Sequence, residues 1–363
     1  MSDLPLRFGI LGCGNIAGQF AGDAPTARDS VVVACGSRRL EAAEAFAAQH
    51  PQPSGKMRAH GSYEALLADP DVEAIYLTLP NTLHRDWTIR ALEAGKHVLC
   101  EKPLALTEAD VDAMFAAADA NQRLLVEAYM YRAHPLTAAV CDAVRGGAIG
   151  DVRFVRTSFC YATSRIAGNI RFDPALGGGA LWDIGGYCLS YARLLAGLGV
   201  GDTGPATAIE PDDFQVFAHR HATGVDDVAA GALTFDAGRV FATFTCAMTA
   251  QADNVLHIGG TAGYIDVPVP WKPAGEQSQY ILRGQTPPKM DQQQAKPNAP
   301  RHEVIHVTHD SALYALEADA FADAARAQDA GTLQDSDVFM PRADSLGNVR
   351  LLETMQRRLA ESR

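Results

Sequence analysis

Residues 6–17 read LRFGILGCGNIA, and this stretch decides the fold. Leu6 to Leu11 has the length and apolar character of a buried strand. It runs straight into Gly12-Cys13-Gly14-Asn15-Ile16-Ala17, a Gly-x-Gly-x-x-Ala turn that opens a helix. Glycines so placed permit a tight turn and let a pyrophosphate approach the backbone at the positive helix end. A glycine pattern alone is weak, but this one follows a strand, precedes a helix and is followed by a second strand, the context a dinucleotide site requires. Gly12, Gly14, Asn15 and Ile16 are therefore the first cofactor-binding candidates.

Outward from this turn, short apolar runs alternate with helical patterns, the signature of parallel βαβ units. Strands are expected at Leu6–Leu11, Val31–Cys35, Ala74–Leu79, Val98–Cys100 and Arg123–Glu127, with helices over Leu40–Gln49, Thr82–Ala94 and Thr107–Asn121. From about Val152 the character changes. Alternating or β-branched runs at Val152–Cys160, Gln215–His219, Ala229–Phe235, Val240–Ala247, Val255–Ile258, Tyr264–Val267 and Glu303–Val307 predict a large, mainly antiparallel open sheet. Helical patterns over Ser311–Gln328 and Arg342–Arg358 close the chain, and Lys272–Arg301, rich in Pro, Gln and Lys, reads as a long loop. The fold class is α/β: a Rossmann doubly wound domain over 1–126, then an α/β domain over 127–363 whose final helices are free to pack back on the first.

The second strand chooses the cofactor. It ends Cys35-Gly36-Ser37-Arg38-Arg39, where an NAD site would offer a carboxylate to the ribose 2′-hydroxyl. A hydroxyl and two guanidinium groups suit a 2′-phosphate instead, so the cofactor is expected to be NADP, held by Ser37, Arg38 and Arg39. The competing reading leaves both arginines as decoration on a helix start.

Ala94–Leu106, AGKHVLCEKPLAL, brings Lys102 to the end of a short apolar run, between Glu101 and Pro103. Thr107 with Asp110 resembles a capping box, so Lys102 falls in a strand-to-helix loop at the carboxyl edge of the sheet, where open α/β sheets bind ligands.

A net charge of -12 speaks against nucleic acid or an anionic membrane as partner, since both select clustered cations. The N-terminus has no room for a secretion signal, and no apolar run approaches the ~18 residues of a membrane span. Seven cysteines, an odd count without Cys-x-x-Cys, suit reduced thiols and a cytoplasmic address. His302, His306 and His309 superficially suggest a metal, but on a strand of period two His309 points away from the other pair, so no metal is expected.

The glycine turn, Pro80-Asn81-x-x-His84, Ala94-to-Pro103 and Gly177-Gly178-Gly179-Ala180-Leu181-Trp182-Asp183-Ile184-Gly185-Gly186-Tyr187 occur in order, and with them the chain resembles the Gfo/Idh/MocA oxidoreductases over essentially its full length. Many members carry histidine where this chain has Tyr187. Tyrosine there, with Glu127-Ala128-Tyr129-Met130-Tyr131-Arg132 and Asn169-Ile170-Arg171-Phe172, is similar to the branch of glucose-fructose oxidoreductase, aldose dehydrogenases and dihydrodiol dehydrogenase. The resemblance implies Tyr187 as general acid/base. A free tyrosine, pKa about 10, is a poor base near neutrality, and a nearby Lys102 ammonium would favour its phenolate.

Asp183, Arg132, Arg171 and Tyr131 are implied as substrate-binding, and Leu79, Pro80, Asn81, His84, Glu101 and Lys102 as lining the cofactor. A structural salt bridge for either arginine and a structural role for His84 remain open alternatives. The implied reaction joins NADP to a cyclic sugar or polyol, above all aldose oxidation at C1 to the lactone or the reverse reduction, with the cofactor released or retained. A trans-dihydrodiol dehydrogenase and a non-catalytic NADP-binding regulator are the alternatives. The resemblance also implies a homodimer or homotetramer formed through the second sheet.

Overall fold

The computed structural model describes residues 4–199, 208–273, 278–284 and 302–361. Six parallel strands form the first sheet: β1 (Leu6–Leu11), β2 (Ser30–Gly36), β3 (Arg58–His60), β4 (Ala74–Leu77), β5 (His97–Glu101) and β6 (Leu125–Ala128). Their order is β3-β2-β1-β4-β5-β6, the doubly wound arrangement whose direction of winding reverses between β1 and β4. Helices α1 (Asn15–Asp23), α2 (Leu40–Gln49), α3 (Tyr63–Leu67), α4 (His84–Glu93) and α5 (Glu108–Asn121) connect them.

The pleat explains why the central strands are apolar throughout. Successive side chains point to opposite faces, and both faces are covered. Phe8, Ile10, Tyr76 and Leu99 pack on Phe20 and Phe321 on one side, while Leu11, Ile75, Leu77, Val98 and Cys100 pack on Leu66, Leu92 and Val111 on the other. The first turn of α5 forms as its sequence predicts, with Thr107 Oγ1 accepting the Asp110 N–H at 3.1 Å.

The second sheet has eight strands: β7 (Val152–Cys160), β8 (Asp213–Arg220), β9 (Asp226–Phe235), β10 (Val240–Ala247), β11 (Leu256–Gly260), β12 (Gly263–Val267), β13 (Gln279–Gly284) and β14 (His302–His306). The order is β14-β13-β12-β11-β7-β10-β9-β8. The β10–β7 pair is parallel and the others are antiparallel. Helix α6 (Pro135–Arg145) leads into this half, and α7 (Gly186–Gly199) lies buried against its inner face.

Two final helices, α8 (Leu313–Asp329) and α9 (Arg342–Glu361), tie the halves together. Asp319 of α8 accepts the backbone N–H groups of Arg28 and Asp29 at 2.8 and 3.0 Å ahead of β2. On α9, Arg350 reaches Glu108 at the start of α5.

Three sequence expectations change. β3 is short and polar, so no apolar run announces it, and its pairing with β2 alone creates it. β13 lies inside the stretch expected to be a loop, Lys272–Arg301, of which 274–277 and 285–301 fall outside the described residues. The last strand ends at His306, so strand periodicity does not govern His309. That residue instead meets His134, with the two Nε2 atoms 3.0 Å apart. Among the described residues no three His, Cys, Asp or Glu side chains converge on a metal-sized site, all seven cysteines are unbridged, and no helix is long and apolar enough to cross a membrane.

Candidate active site

The carboxyl ends of β1 and β4 frame a crevice, as the reversal of strand order requires. Gly12 ends β1 with φ of 105°, and a Cβ there would stand 2.8 Å from Thr78 Oγ1. Glycine is thus needed for both conformation and space. At Gly14, which precedes α1, a Cβ would meet nothing within 4 Å, and no side chain caps the helix. An uncapped helix end facing open space fits an anionic diphosphate. Asn15 is exposed and Ile16 half-buried beside it, and at the end of β2 Ser37 is half-buried with Arg38 and Arg39 exposed. These residues can hold the adenosine end of a dinucleotide.

Lys102 follows β5 and is gripped from several sides. Glu101 lies buried beneath it, accepting the Tyr76 hydroxyl at 2.5 Å and the Lys102 N–H at 3.3 Å. His84 is fully buried, with Nδ1 2.8 Å from the Pro103 carbonyl and Nε2 2.8 Å from the Leu79 carbonyl. Burial depresses its pKa while the two carbonyls oppose that shift, and a neutral ring donates to only one of them at a time. Glu127 in β6 completes the grip by accepting the Leu104 N–H at 2.9 Å.

Across the crevice, a π-helical turn at Leu181–Gly185 runs into α7, an irregularity common at functional sites. Asp226 holds its start by accepting the Leu181 N–H at 2.7 Å. A Cβ on Gly179 would fall 2.4 Å from that same carboxylate, which explains part of the glycine run. The turn carries Asp183 to Lys102: the ammonium donates to the Asp183 carbonyl and lies 3.1 Å from Oδ1. Oδ2 accepts from the Tyr161 hydroxyl at 2.7 Å and from Arg171 Nε at 2.9 Å. Burial alone would raise this carboxyl, but Lys102, Arg171 and Tyr161 outweigh it and hold the group at about 2.

Tyr187 stands one turn further on, its ring centroid 5.3 Å from Lys102 Nζ. Phe159, Tyr129 and Trp271 surround it edge-on, and its hydroxyl donates to Met130 Sδ at 3.4 Å. Burial pushes the phenol well above its ordinary range, and Glu101 adds to the shift. The depression expected from Lys102 is therefore reversed in this state, in which burial is the largest influence.

The crevice thus gathers Lys102, Asp183, Arg171 and Tyr187, with Asn81 bridging to the glycine run through the Gly177 carbonyl at 3.0 Å. Pro80 lies half-buried beside Asn81. Arg132 is held in a buried ion pair with Asp344, and Tyr131 donates to Ser190 Oγ at 2.7 Å while its ring lies 5.9 Å from that of Tyr187. The side chains of Leu79, His84 and Glu101 are buried. Sequence reasoning missed Tyr161, Lys272 and Glu127. The position of Tyr161 immediately after β7, at that strand's carboxyl end, was the available signal.

Comparison with known proteins gives a family and relatives. Residues 6–129 match the oxidoreductase family model described as an NAD-binding Rossmann fold, and residues 137–266 match the GFO/IDH/MocA C-terminal domain. The chain is 33% identical over 285 residues to trans-1,2-dihydrobenzene-1,2-diol dehydrogenase of Homo sapiens, covering 78% of this chain and 79% of that protein. It is 38% identical over 233 residues to D-xylose 1-dehydrogenase (NADP(+)) 2 of Haloferax volcanii, covering 64% and 67%. The crystal structure of aldose-aldose oxidoreductase from Caulobacter crescentus, complexed with glycerol, superposes with a TM-score of 0.78 at 27% identity, covering 99% of this chain and 98% of that one.

Burial lifts the Glu127 carboxyl to about 7 against the Leu104 N–H, Ser345 and Lys102. The native state then keeps a proton that the unfolded chain releases between pH of about 4.5 and 7, so stability falls as pH rises through that window, by on the order of 3 kcal/mol. Glu127→Gln should flatten the fall. Urea denaturation at pH 5 and pH 8 measures it, and identical losses in wild type and variant would contradict this origin.

Proposed function

The chain belongs to the Gfo/Idh/MocA oxidoreductase family, and on that premise we propose that it is an NADP-dependent dehydrogenase acting on the CH–OH group of a cyclic sugar, above all C1 of an aldose. The observation that carries this reading is the convergence of the first sheet's edge and the π-helical turn on one spot. Lys102 from the former is tied to Asp183 from the latter, directly beside the Tyr187 ring. The preference for NADP rests on Ser37, Arg38 and Arg39 at the end of β2 with no carboxylate among them.

When bound, the nicotinamide accepts or supplies the hydride equivalent of the reaction. Everything else falls to the protein. Lys102 donates to the substrate oxygen and offsets negative charge there as the C–O bond changes order. Tyr187 moves the proton on that same oxygen. Its raised pKa makes the described state the acid, ready to protonate a carbonyl during reduction. Oxidation of a hydroxyl requires the phenolate, which a Lys102 ammonium drawn toward the substrate oxygen would favour. Asp183 remains ionised and can accept from a neighbouring sugar hydroxyl while Arg171 orients the ring.

A trans-dihydrodiol substrate is the second reading, favoured by the half-buried Phe159 ring 5.3 Å from Tyr187. Retention of both Lys102 and Tyr187 speaks against a non-catalytic regulator. Unbridged thiols suit a cytoplasmic enzyme.

Tyr187→Phe is expected to fold, to bind NADP and to lose turnover by about 100-fold or more, the usual scale of a lost general acid/base. A panel of aldoses, polyols and a trans-dihydrodiol, followed at the reduced-nicotinamide absorbance with NADP and with NAD, identifies the substrate class. No change with any of them would overturn the reading. The outer face of the second sheet exposes Phe154, Phe217 and Phe241, and exposed apolar patches mark interfaces. The same reading makes this face the contact of a homodimer or homotetramer, and a monomer by light scattering would contradict it.

A further inference from the structure

Beyond β12 the chain crosses back toward the first domain at Trp271 and Lys272. Trp271 is an anchor: its Nε1 donates to the Ser158 carbonyl at 2.8 Å, and its ring stacks on Phe159 with centroids 5.3 Å apart. The next residue is the one that crosses. Lys272 Nζ donates to Gln19 Oε1 at 2.9 Å, and the Tyr314 ring lies below the ammonium with its centroid at 5.7 Å. Gln19 sits one turn after Asn15 on α1, and residues four apart share a helix face. A lysine from the second domain is therefore held one turn from the uncapped helix end that follows the glycine turn.

Its electrostatic surroundings place it on the route between the two ends of the crevice. Packing around the ammonium depresses its pKa, as do Lys102 and Arg171, whereas Glu101 and Asp183 support the charge. A dinucleotide with its adenosine end at Ser37–Arg39 and its reacting end at Lys102 would carry its diphosphate across the uncapped start of α1, one turn from Gln19. Gln19 offers the ammonium only a neutral acceptor, and a phosphate oxygen makes a charge-assisted bond roughly twice as strong. The long flexible stem of lysine lets the ammonium swing between partners.

We propose that Lys272 is a cofactor clasp, transferring its ammonium from Gln19 to the diphosphate of the bound dinucleotide so that the second domain holds the cofactor in place. This inference rests on the dinucleotide reading of the crevice. It assigns to the second domain a share of cofactor affinity that the glycine turn alone would not supply, and it makes release of the cofactor depend on breaking that contact.

Binding to the full-length protein tests it. NADPH and adenosine 2′-monophosphate, which has the adenosine and its 2′-phosphate but no phosphate at the 5′ position, are titrated calorimetrically into wild type, Lys272→Met and Lys272→Arg. Loss of one charge-assisted bond should weaken NADPH binding by Lys272→Met about tenfold or more, leave adenosine 2′-monophosphate within about twofold, and be largely rescued by Lys272→Arg. Stopped-flow displacement should show faster NADPH release from Lys272→Met. Wild-type NADPH affinity in Lys272→Met, or an equal loss for both probes, would overturn the clasp. A wild-type protein that binds neither NADPH nor NADH would overturn the dinucleotide reading itself, and the clasp with it.

Discussion

The Asp183 carboxylate is the constraint on which the site depends. A buried carboxylate is costly unless charges and hydrogen bonds surround it, and Asp183, with a side chain only 11% exposed, recruits its partners from three separate places. Lys102 comes from the edge of the first sheet, Tyr161 from the end of β7, and Arg171 from the loop before the glycine run. Satisfying one charge therefore brings the two sheets into register at the crevice. Because the folded pKa lies below that of a free aspartate, the stabilisation is present above about pH 4 and is lost as pH falls through about 2. Two cations around one carboxylate leave positive charge in excess, and a substrate oxygen that gains electron density during the reaction can use it.

The surroundings are built to keep Lys102 where Asp183 needs it. Glu101, His84 and Glu127 each hold a different backbone or side-chain atom of the Lys102–Leu104 turn, and Asp226 fixes the start of the π-helical turn opposite. Each of these hydrogen bonds contributes only about 1 kcal/mol to stability. Their joint effect is positional, which matters more for a group proposed to meet a substrate oxygen to within a fraction of an ångström.

Much of the fold could be read from the chain because its signals are local. The bounds of β1, α2, β7 and β10 follow apolar runs directly, and the Thr107 cap needs no information beyond four residues. The short polar β3 is not local in that sense, since pairing with β2 makes it a strand. Side-chain direction was the harder part of the site. Arg132 and Tyr131 lie in a segment whose motif suggested the crevice, and their polar ends are held by Asp344 and Ser190, partners distant in sequence. The same holds for Tyr187, whose neighbours raise its pKa where a nearby lysine alone would lower it. Lys272 carries no motif, and its position emerges only when β12 and α1 are seen together.

Asp183→Asn keeps the shape of the side chain and removes the charge that gathers Lys102 and Arg171, so its kinetics report whether that charge organises the site. With NADPH affinity measured on the same sample, cofactor binding should stay within about threefold of wild type and turnover should fall by about 100-fold, the scale on which a misplaced reacting group is felt. Turnover within twofold of wild type would show that the Asp183 charge does not organise the site.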